Sequence, residues 1–206
     1  MSDVELRLAA SADRDALYDI CLRTGDAGDD ASGLIRHGEL YGHLYAGQYL
    51  ALEPGLALVA VLDGTVVGYA LGALDTASFE ERLEHEWWPG LRAAHPLPGE
   101  GTDLDRSFTA RLHAPPRTPT AVTDRYPSHL HIDLLPVAQG RGVGRRLIDA
   151  LLAAMVALGS TGVHLGVDPR NTRAIGFYAH LGFTRHGDGG VVLFTQRLSP
   201  ASAPST

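Results

Sequence analysis

The strongest constraint on this chain lies between residues 129 and 155, which read HLHIDLLPVAQGRGVGRRLIDALLAAM. A short apolar strand meets Pro136, three glycines follow at 140, 142 and 144, and a long amphipathic run begins. Proline ends a strand because it has no N–H to donate. Glycine lets a backbone turn sharply and come close to a ligand. The first turn of the following helix carries unpaired N–H groups and the positive end of the helix dipole, so strand, turn and helix together form an anion site. Arg141, Arg145 and Arg146 add positive charge. Phosphate is the natural guest.

Two common phosphate motifs do not fit. A P-loop ends in Gly-Lys-Ser/Thr, whereas Gly144 is followed by Arg145 and Arg146. The dinucleotide fingerprint needs a glycine three residues after Gly142, where Arg145 stands. A plain glycine-rich turn with surface arginines, or a nucleotide-binding regulatory turn, stays open on the pattern alone.

The rest of the chain reads as α/β. Val4 to Leu8 alternates as a strand. Ser11, with Asp13 and Asp15, reads as a helix cap followed by Ala16, Leu17, Ile20 and Cys21 at helical spacing. TGDAGDDASG is a loop, and residues 40–52 suggest a second helix. Asp63-Gly64 joins two β-rich runs as a hairpin. Residues 76–94 look helical, and residues 95–128 read as a long irregular insertion. Thereafter a strand is expected over 129–135, a helix over 141–158, a strand over 163–167, a helix over 171–181 and a final strand over 191–198. Residues 1–198 are expected to form one domain and 199–206 a tail.

A formal charge of −7 argues against a general nucleic-acid surface. One cysteine excludes an internal disulfide or a cysteine zinc cluster. A charged N-terminus and the lack of a long apolar run point to a cytoplasmic protein without a membrane segment.

LLPVAQGRGVGRRLIDAL resembles the coenzyme A signature of the GNAT N-acetyltransferase superfamily, with Gln139, Gly142 and Gly144 at its marked positions. About 30 residues on, NTRAIGFYAHLGF resembles the second motif of that family, through Asn171, Ala174, Phe177, Tyr178, Gly182 and Phe183. The strand face is also similar to a His-Ile-Asp segment in the acetyltransferase-like region of O-GlcNAcases. The resemblance implies a mixed, mostly antiparallel central sheet flanked by helices on both faces. It implies acetyl-CoA as co-substrate, with no metal, and a small amine or lysine peptide as acceptor. The protein would act as a monomer or homodimer, without nucleic acid or membrane. The amides of Gln139, Gly140, Arg141, Gly142, Val143, Gly144 and Arg145 would cradle the pyrophosphate. Leu134 and Leu135 would pair with the pantetheine arm like an added strand. Asn171 would hydrogen-bond that arm, Phe177 would wall it, and a Leu135 N–H would face the thioester oxygen. A catalytically silent, acetyl-CoA-binding pseudo-acetyltransferase or interaction module is the alternative that the likeness to O-GlcNAcases carries.

Acetyl transfer to an alkyl amine must remove a proton. Freeing the lone pair at pH 7 costs roughly 3.4 pK units, about 4.6 kcal/mol. Strand alternation puts His129, His131, Asp133 and Leu135 on one face. The resemblance implies that this strand handles the amine proton, and the aspartate of the similar O-GlcNAcase segment would point at the transfer centre. Asp133 is thus the first candidate base and His131 the second. Tyr178, protonated at neutrality, can donate to the leaving thiolate, the role that the resemblance implies for the motif tyrosine; otherwise it packs the helix on the sheet with Phe177. The histidines could equally be structural, or His-x-His-x-Asp could hold zinc. Trp87, Trp88 and Tyr126 are candidates for an acceptor wall or for packing, and the acidic GDAGDD run for attracting a cationic amine or for plain solvation.

Overall fold

A computed structural model describes residues 3–187 and 190–199. Seven strands form one sheet: β1 (Glu5–Leu8), β2 (Ala57–Leu62), β3 (Thr65–Ala73), β4 (Ser128–Leu134), β5 (Gly162–Val167), β6 (Thr184–His186) and β7 (Val192–Arg197). Their order is β1-β2-β3-β4-β5-β7-β6. Every neighbouring pair is antiparallel except β4 and β5. The expected mixed sheet with helices on both faces is therefore present. The β2–β3 hairpin turns at Asp63 and Gly64, both with positive φ, the twist that a two-residue hairpin needs.

The helices are α1 (Arg14–Arg23), α2 (Glu39–Tyr45), α3 (Gly47–Leu52), α4 (Thr76–Arg82), α5 (Trp88–Ala94), α6 (Asp103–His113), α7 (Thr120–Thr123), α8 (Val143–Ala157) and α9 (Thr172–His180). Alternation along β4 divides the core. Leu135 joins Leu17, Tyr49, Phe79, Trp88 and Leu112 under α1 to α6. Leu130 joins Leu147, Leu151, Tyr178 and Phe194 under α8 and α9.

Four expectations change. The Ser11 cap is replaced by Asp13, whose carboxylate accepts from Ala10 N–H at 2.7 Å and pairs with Arg7 at 2.6 Å. The helix over residues 40–52 is two, broken at Ala46, whose φ of −134° is not helical. Residues 95–128 are not irregular throughout, because α6 and α7 lie there. Asp105 explains α6: its buried carboxylate accepts from Thr102 N–H within a capping box and from Arg36 and His37 N–H across the chain. A short strand, β6, was not foreseen. The tail, apart from Ser199, lies outside the described residues.

The feature that positions the site is the parting of β4 from β5. β4 pairs with β3 from His129 to Leu134, but with β5 only at Ser128 and His129. Beyond His129 the two strands diverge, and one edge of β4 is left without a strand neighbour.

Candidate functional site

Backbone direction on β4 follows from one bond. Leu135 N–H donates to Val67 O at 2.9 Å, toward β3. N–H and C=O groups alternate sides along a strand. Hence those of His131 and Asp133 also face β3, and those of Ile132 and Leu134 face the opening. This corrects the expectation for Leu135, whose N–H is committed and whose carbonyl accepts from Ala138 N–H. The pair available to an extended ligand is Ile132 and Leu134. The Gln139 side chain reaches back to the Leu134 carbonyl at 2.8 Å and accepts from Arg173 at 3.2 Å.

The glycine turn lies at the mouth of the opening. Gly140 and Gly142 have φ of +70° and +74°, a region that side chains disfavour, and nothing lies within 4 Å of where their Cβ atoms would be. Helical bonding begins with Arg146 N–H to Gly142 O. Among the described residues, the N–H groups of Gly140 through Arg145 therefore find no backbone acceptor. This run of free donors at the start of a fifteen-residue helix fits a diphosphate. The turn, Ile132, Leu134, Asn171, Phe177 and Tyr178 line a cavity of about 500 Å³. A slot with a free strand edge and an anion cradle at its mouth has the chemistry to hold coenzyme A.

A second cavity, about 690 Å³, lies on the other side of β4, among Tyr45, Gln48, Tyr49, Trp88, Arg111 and His131. Thr24, Gly28, Asp133 and Asn171 line both cavities. Asp133 is the only carboxylate among these shared residues. Its Oδ2 accepts from the Tyr69 hydroxyl at 2.5 Å. Burial pushes its carboxyl up to about 6, against the opposing hydrogen bonds from Tyr69 and Thr24. It is thus mostly ionised at pH 7 yet able to hold a proton.

The histidines divide. His129 Nδ1 lies 2.8 Å from Thr76 Oγ1, and that hydroxyl donates to Pro127 O at 2.6 Å. Thr76 must then accept from His129 Nδ1–H, so Nε2 accepts from the Tyr49 hydroxyl at 2.7 Å. Both ring nitrogens are used, and burial holds the ring well below the usual histidine range, with the neighbouring His131 and His164 adding to the effect. His129 is a neutral structural ring and has no nitrogen left for a metal. Among the described residues no group of three His, Cys, Asp or Glu side chains is placed to hold a metal. His131 faces the larger cavity, and burial, with the Arg111 charge, brings it down to about 4. Its protonated form is therefore scarce at neutrality.

Residues 29–183 match the model of the acetyltransferase (GNAT) family. The chain belongs to that family. A solved structure named SsHAT is 36% identical, with a TM-score of 0.88, over 96% of this chain and 99% of that one. Among GNAT-fold structures at lower identity is the putative acetyltransferase yncA from Salmonella typhimurium, solved with acetyl-CoA, at 17% identity, a TM-score of 0.55 and 98% coverage of both chains. Protein O-GlcNAcase of Rattus norvegicus is 26% identical over 82% of this chain but only 19% of its own length. Mycothiol acetyltransferase of Geodermatophilus obscurus is 42% identical over 44% of this chain and 28% of its own. The chain thus spans 19% and 28% of the length of these two curated relatives.

Against the GNAT motifs, the structure gathers Leu134, Gln139, Gly140, Gly142, Val143, Gly144, Arg145, Asn171, Phe177 and Tyr178 around one cavity. Arg141 lies in the turn but does not line it. Asn171 Oδ1 caps α9 by accepting from Ala174 N–H at 3.0 Å, leaving its amide nitrogen beside Gly28. Tyr178 is buried, and burial together with the Asp133 charge raises its hydroxyl above the usual phenol range. Trp88 lines the larger cavity, but Trp87 and Tyr126 do not. Trp87 donates to His43 O, and Tyr126 packs under Arg197.

The acidic run is partly paired. Asp26 pairs with Arg170 at 2.8 Å, Asp29 with Arg173 at 3.2 Å, and Asp30 accepts from Ser32. These pairs fasten the 24–33 loop to the start of α9, over the place where the cavities meet. Tyr69, Thr24, Gly28 and Arg173 were missed as site residues. Only the β3–β4 register, with Tyr69 opposite Asp133, brings Tyr69 into view.

Proposed function

We propose that the chain is an acetyl-CoA-dependent N-acetyltransferase acting on a primary amine, either a small amine or a lysine side chain. The observation that carries this reading is that Asp133 stands where a coenzyme-shaped slot meets a second, ring-lined cavity. Bound acetyl-CoA supplies the acetyl group as a thioester open to attack by an amine.

The residues of the chain take the other tasks. The free amides of the 140–145 turn and the Arg145 side chain hold the diphosphate. Ile132 and Leu134 offer a strand edge to the pantetheine arm. Asp133 takes the amine proton, because an ionised carboxylate near 6 is a usable acceptor at pH 7. His131, lowered to about 4, holds a proton poorly and is the weaker candidate. Tyr178 stays protonated and supplies a hydrogen-bond donor toward the leaving sulfur.

A second reading is a module that binds the coenzyme without turning it over; it is supported by the similarity over 82% of the chain to O-GlcNAcase, a protein not named for acetyl transfer. Free-thiol release from acetyl-CoA, screened against small amines and lysine peptides, separates the two. Acceptor-dependent release supports the enzyme. Coenzyme binding with no release for any acceptor supports the silent module.

A further inference from the structure

The larger cavity holds two polar groups that the proposed transfer does not use. Gln48, on α3, is 5% exposed, and its Oε1 has no hydrogen-bond partner. The cause is the order of donors beside it. The Tyr49 hydroxyl next to the Gln48 amide spends its proton on His129 Nε2, because Nδ1–H is already directed at Thr76. Among the described residues no donor reaches the carboxamide oxygen. A buried acceptor without a partner is costly, so its persistence points to a donor that arrives with a ligand.

The second group is Arg111, on α6, an exposed residue that also lines the cavity. Its guanidinium donates to the Tyr45 hydroxyl at 3.1 Å and lies 5.6 Å from the centre of that ring. It belongs to no ion pair among the described residues. Of the acidic residues that share the cavity, Glu80 accepts from Thr118 N–H and Oγ–H, Glu84 pairs with Arg92 at 2.9 Å, Asp168 pairs with Arg170 at 2.9 Å, and Asp133 accepts from the Tyr69 hydroxyl at 2.5 Å. Arg117 lies 3.8 Å from Glu80 and 4.0 Å from Glu84. Among the described residues the cavity therefore offers a cation without an ion pair, the buried Gln48 acceptor without a partner, the neutral His131 ring, and the faces of Tyr45, Tyr49, Phe79 and Trp88.

We propose that the acceptor is a primary amine that also bears a carboxylate on an apolar body. Arg111 takes the carboxylate through its remaining N–H groups, Gln48 Oε1 takes an N–H of the amine, and the ring-lined wall takes the apolar part. This rests on the acetyl-transfer reading for its turnover readout, but not for its binding readout. It gives Gln48 and Arg111 a specificity role, and it disfavours purely cationic amines, which Arg111 would repel.

The test uses matched acceptors: phenylalanine, phenylalaninamide and 2-phenylethylamine, then 6-aminohexanoate against hexylamine. The two sets bracket the spacing between amine and carboxylate. The amide controls for amine basicity, since it lacks the carboxylate yet ionises less readily. In at least one set kcat/KM for the acid should exceed that of its carboxylate-free partners by about tenfold or more, the ratio that one charge-assisted hydrogen bond supplies. Arg111→Met, which keeps an apolar stem over Tyr45, should erase that ratio by raising KM for the acid alone. Equal kcat/KM within both sets, or a loss in Arg111→Met that strikes acids and carboxylate-free amines alike, overturns the proposal.

If no acceptor releases thiol, the same compounds are titrated by calorimetry in the presence of coenzyme A. Binding of an acid that depends on Arg111 supports the site while the transfer reading fails, and absence of such binding overturns the site. Gln48→Leu separates function from folding. Removing an unsatisfied buried acceptor should leave the melting temperature unchanged or higher while weakening every acceptor. A lowered melting temperature with unchanged acceptor KM would mean that the carboxamide is structural.

Discussion

Replacing Asp133 by asparagine perturbs stability and catalysis in opposite directions, and the structure sets both magnitudes. The carboxyl is raised from 3.8 to about 6 by burial. About two pK units at 1.36 kcal/mol each, reduced for screening by water in the cavities, make the ionised carboxylate cost the fold about 2–3 kcal/mol. Because the folded pKa lies above the unfolded one, the penalty is absent below about pH 4, grows between about 4 and 6, and is complete above that. Asparagine keeps an oxygen to accept from Tyr69 and carries no charge. Denaturant unfolding of the two proteins should therefore coincide at pH 4 and diverge by about 2–3 kcal/mol at pH 8, with Asp133→Asn the more stable. The difference between variants is the quantity to follow, since His129 and His131, lowered by burial, make both proteins less stable as pH falls below 6.5. In the kinetics, the acid limb of kcat/KM near pH 6 should vanish, with a rate loss of about 10²–10⁴. A variant less stable at pH 8, or an offset that does not change with pH, would refute the burial reasoning. A surviving acid limb would remove Asp133 from proton transfer.

Tyr69→Phe deletes a donor that favours the ionised carboxylate, so the acid limb of the pH–rate profile should move upward; an unmoved limb means the hydrogen bond is not felt at Asp133. Tyr178→Phe should slow acetyl transfer with coenzyme affinity nearly unchanged; an equal loss of both would make Tyr178 a packing residue beside Phe183 and Phe194. Gly142→Ala forces a side chain to φ +74° with nothing in its path, so roughly 1–2 kcal/mol of backbone strain should appear as weaker acetyl-CoA binding and a modestly lower melting temperature; unchanged binding would mean that the turn does not hold the coenzyme.

The strand–turn–helix from Ser128 to Ala157 was legible because three local signals agree: alternation, proline with glycines, and helical spacing. The Asn171 to Phe183 segment was legible as a pattern, and the structure brings most of it beside the glycine turn. What the sequence hid depends on distant partners. Alternation placed the side chains of Asp133 and Leu135 on one face. It did not say which way the Leu135 N–H points, and that depends on pairing with β3. Tyr69 becomes a site residue only through its register opposite Asp133. The GDAGDD run looked solvated, since the arginines that bind it lie about 140 residues away. Helix α6 was masked by flanking prolines and glycines, although Thr102 and Asp105 carried a capping signal.

The central claim is that the free amides of the 140–145 turn and the exposed edge of β4 accept one ligand together. Calorimetric titration of acetyl-CoA and of ATP against the same protein tests it most directly. The two share a phosphate-bearing adenosine, and only acetyl-CoA has an arm for the strand edge. Saturable one-to-one binding of acetyl-CoA, at least about tenfold tighter than ATP, is the expected result, since the arm adds several backbone hydrogen bonds. Equal affinities, or no acetyl-CoA binding at millimolar concentration, would contradict the account.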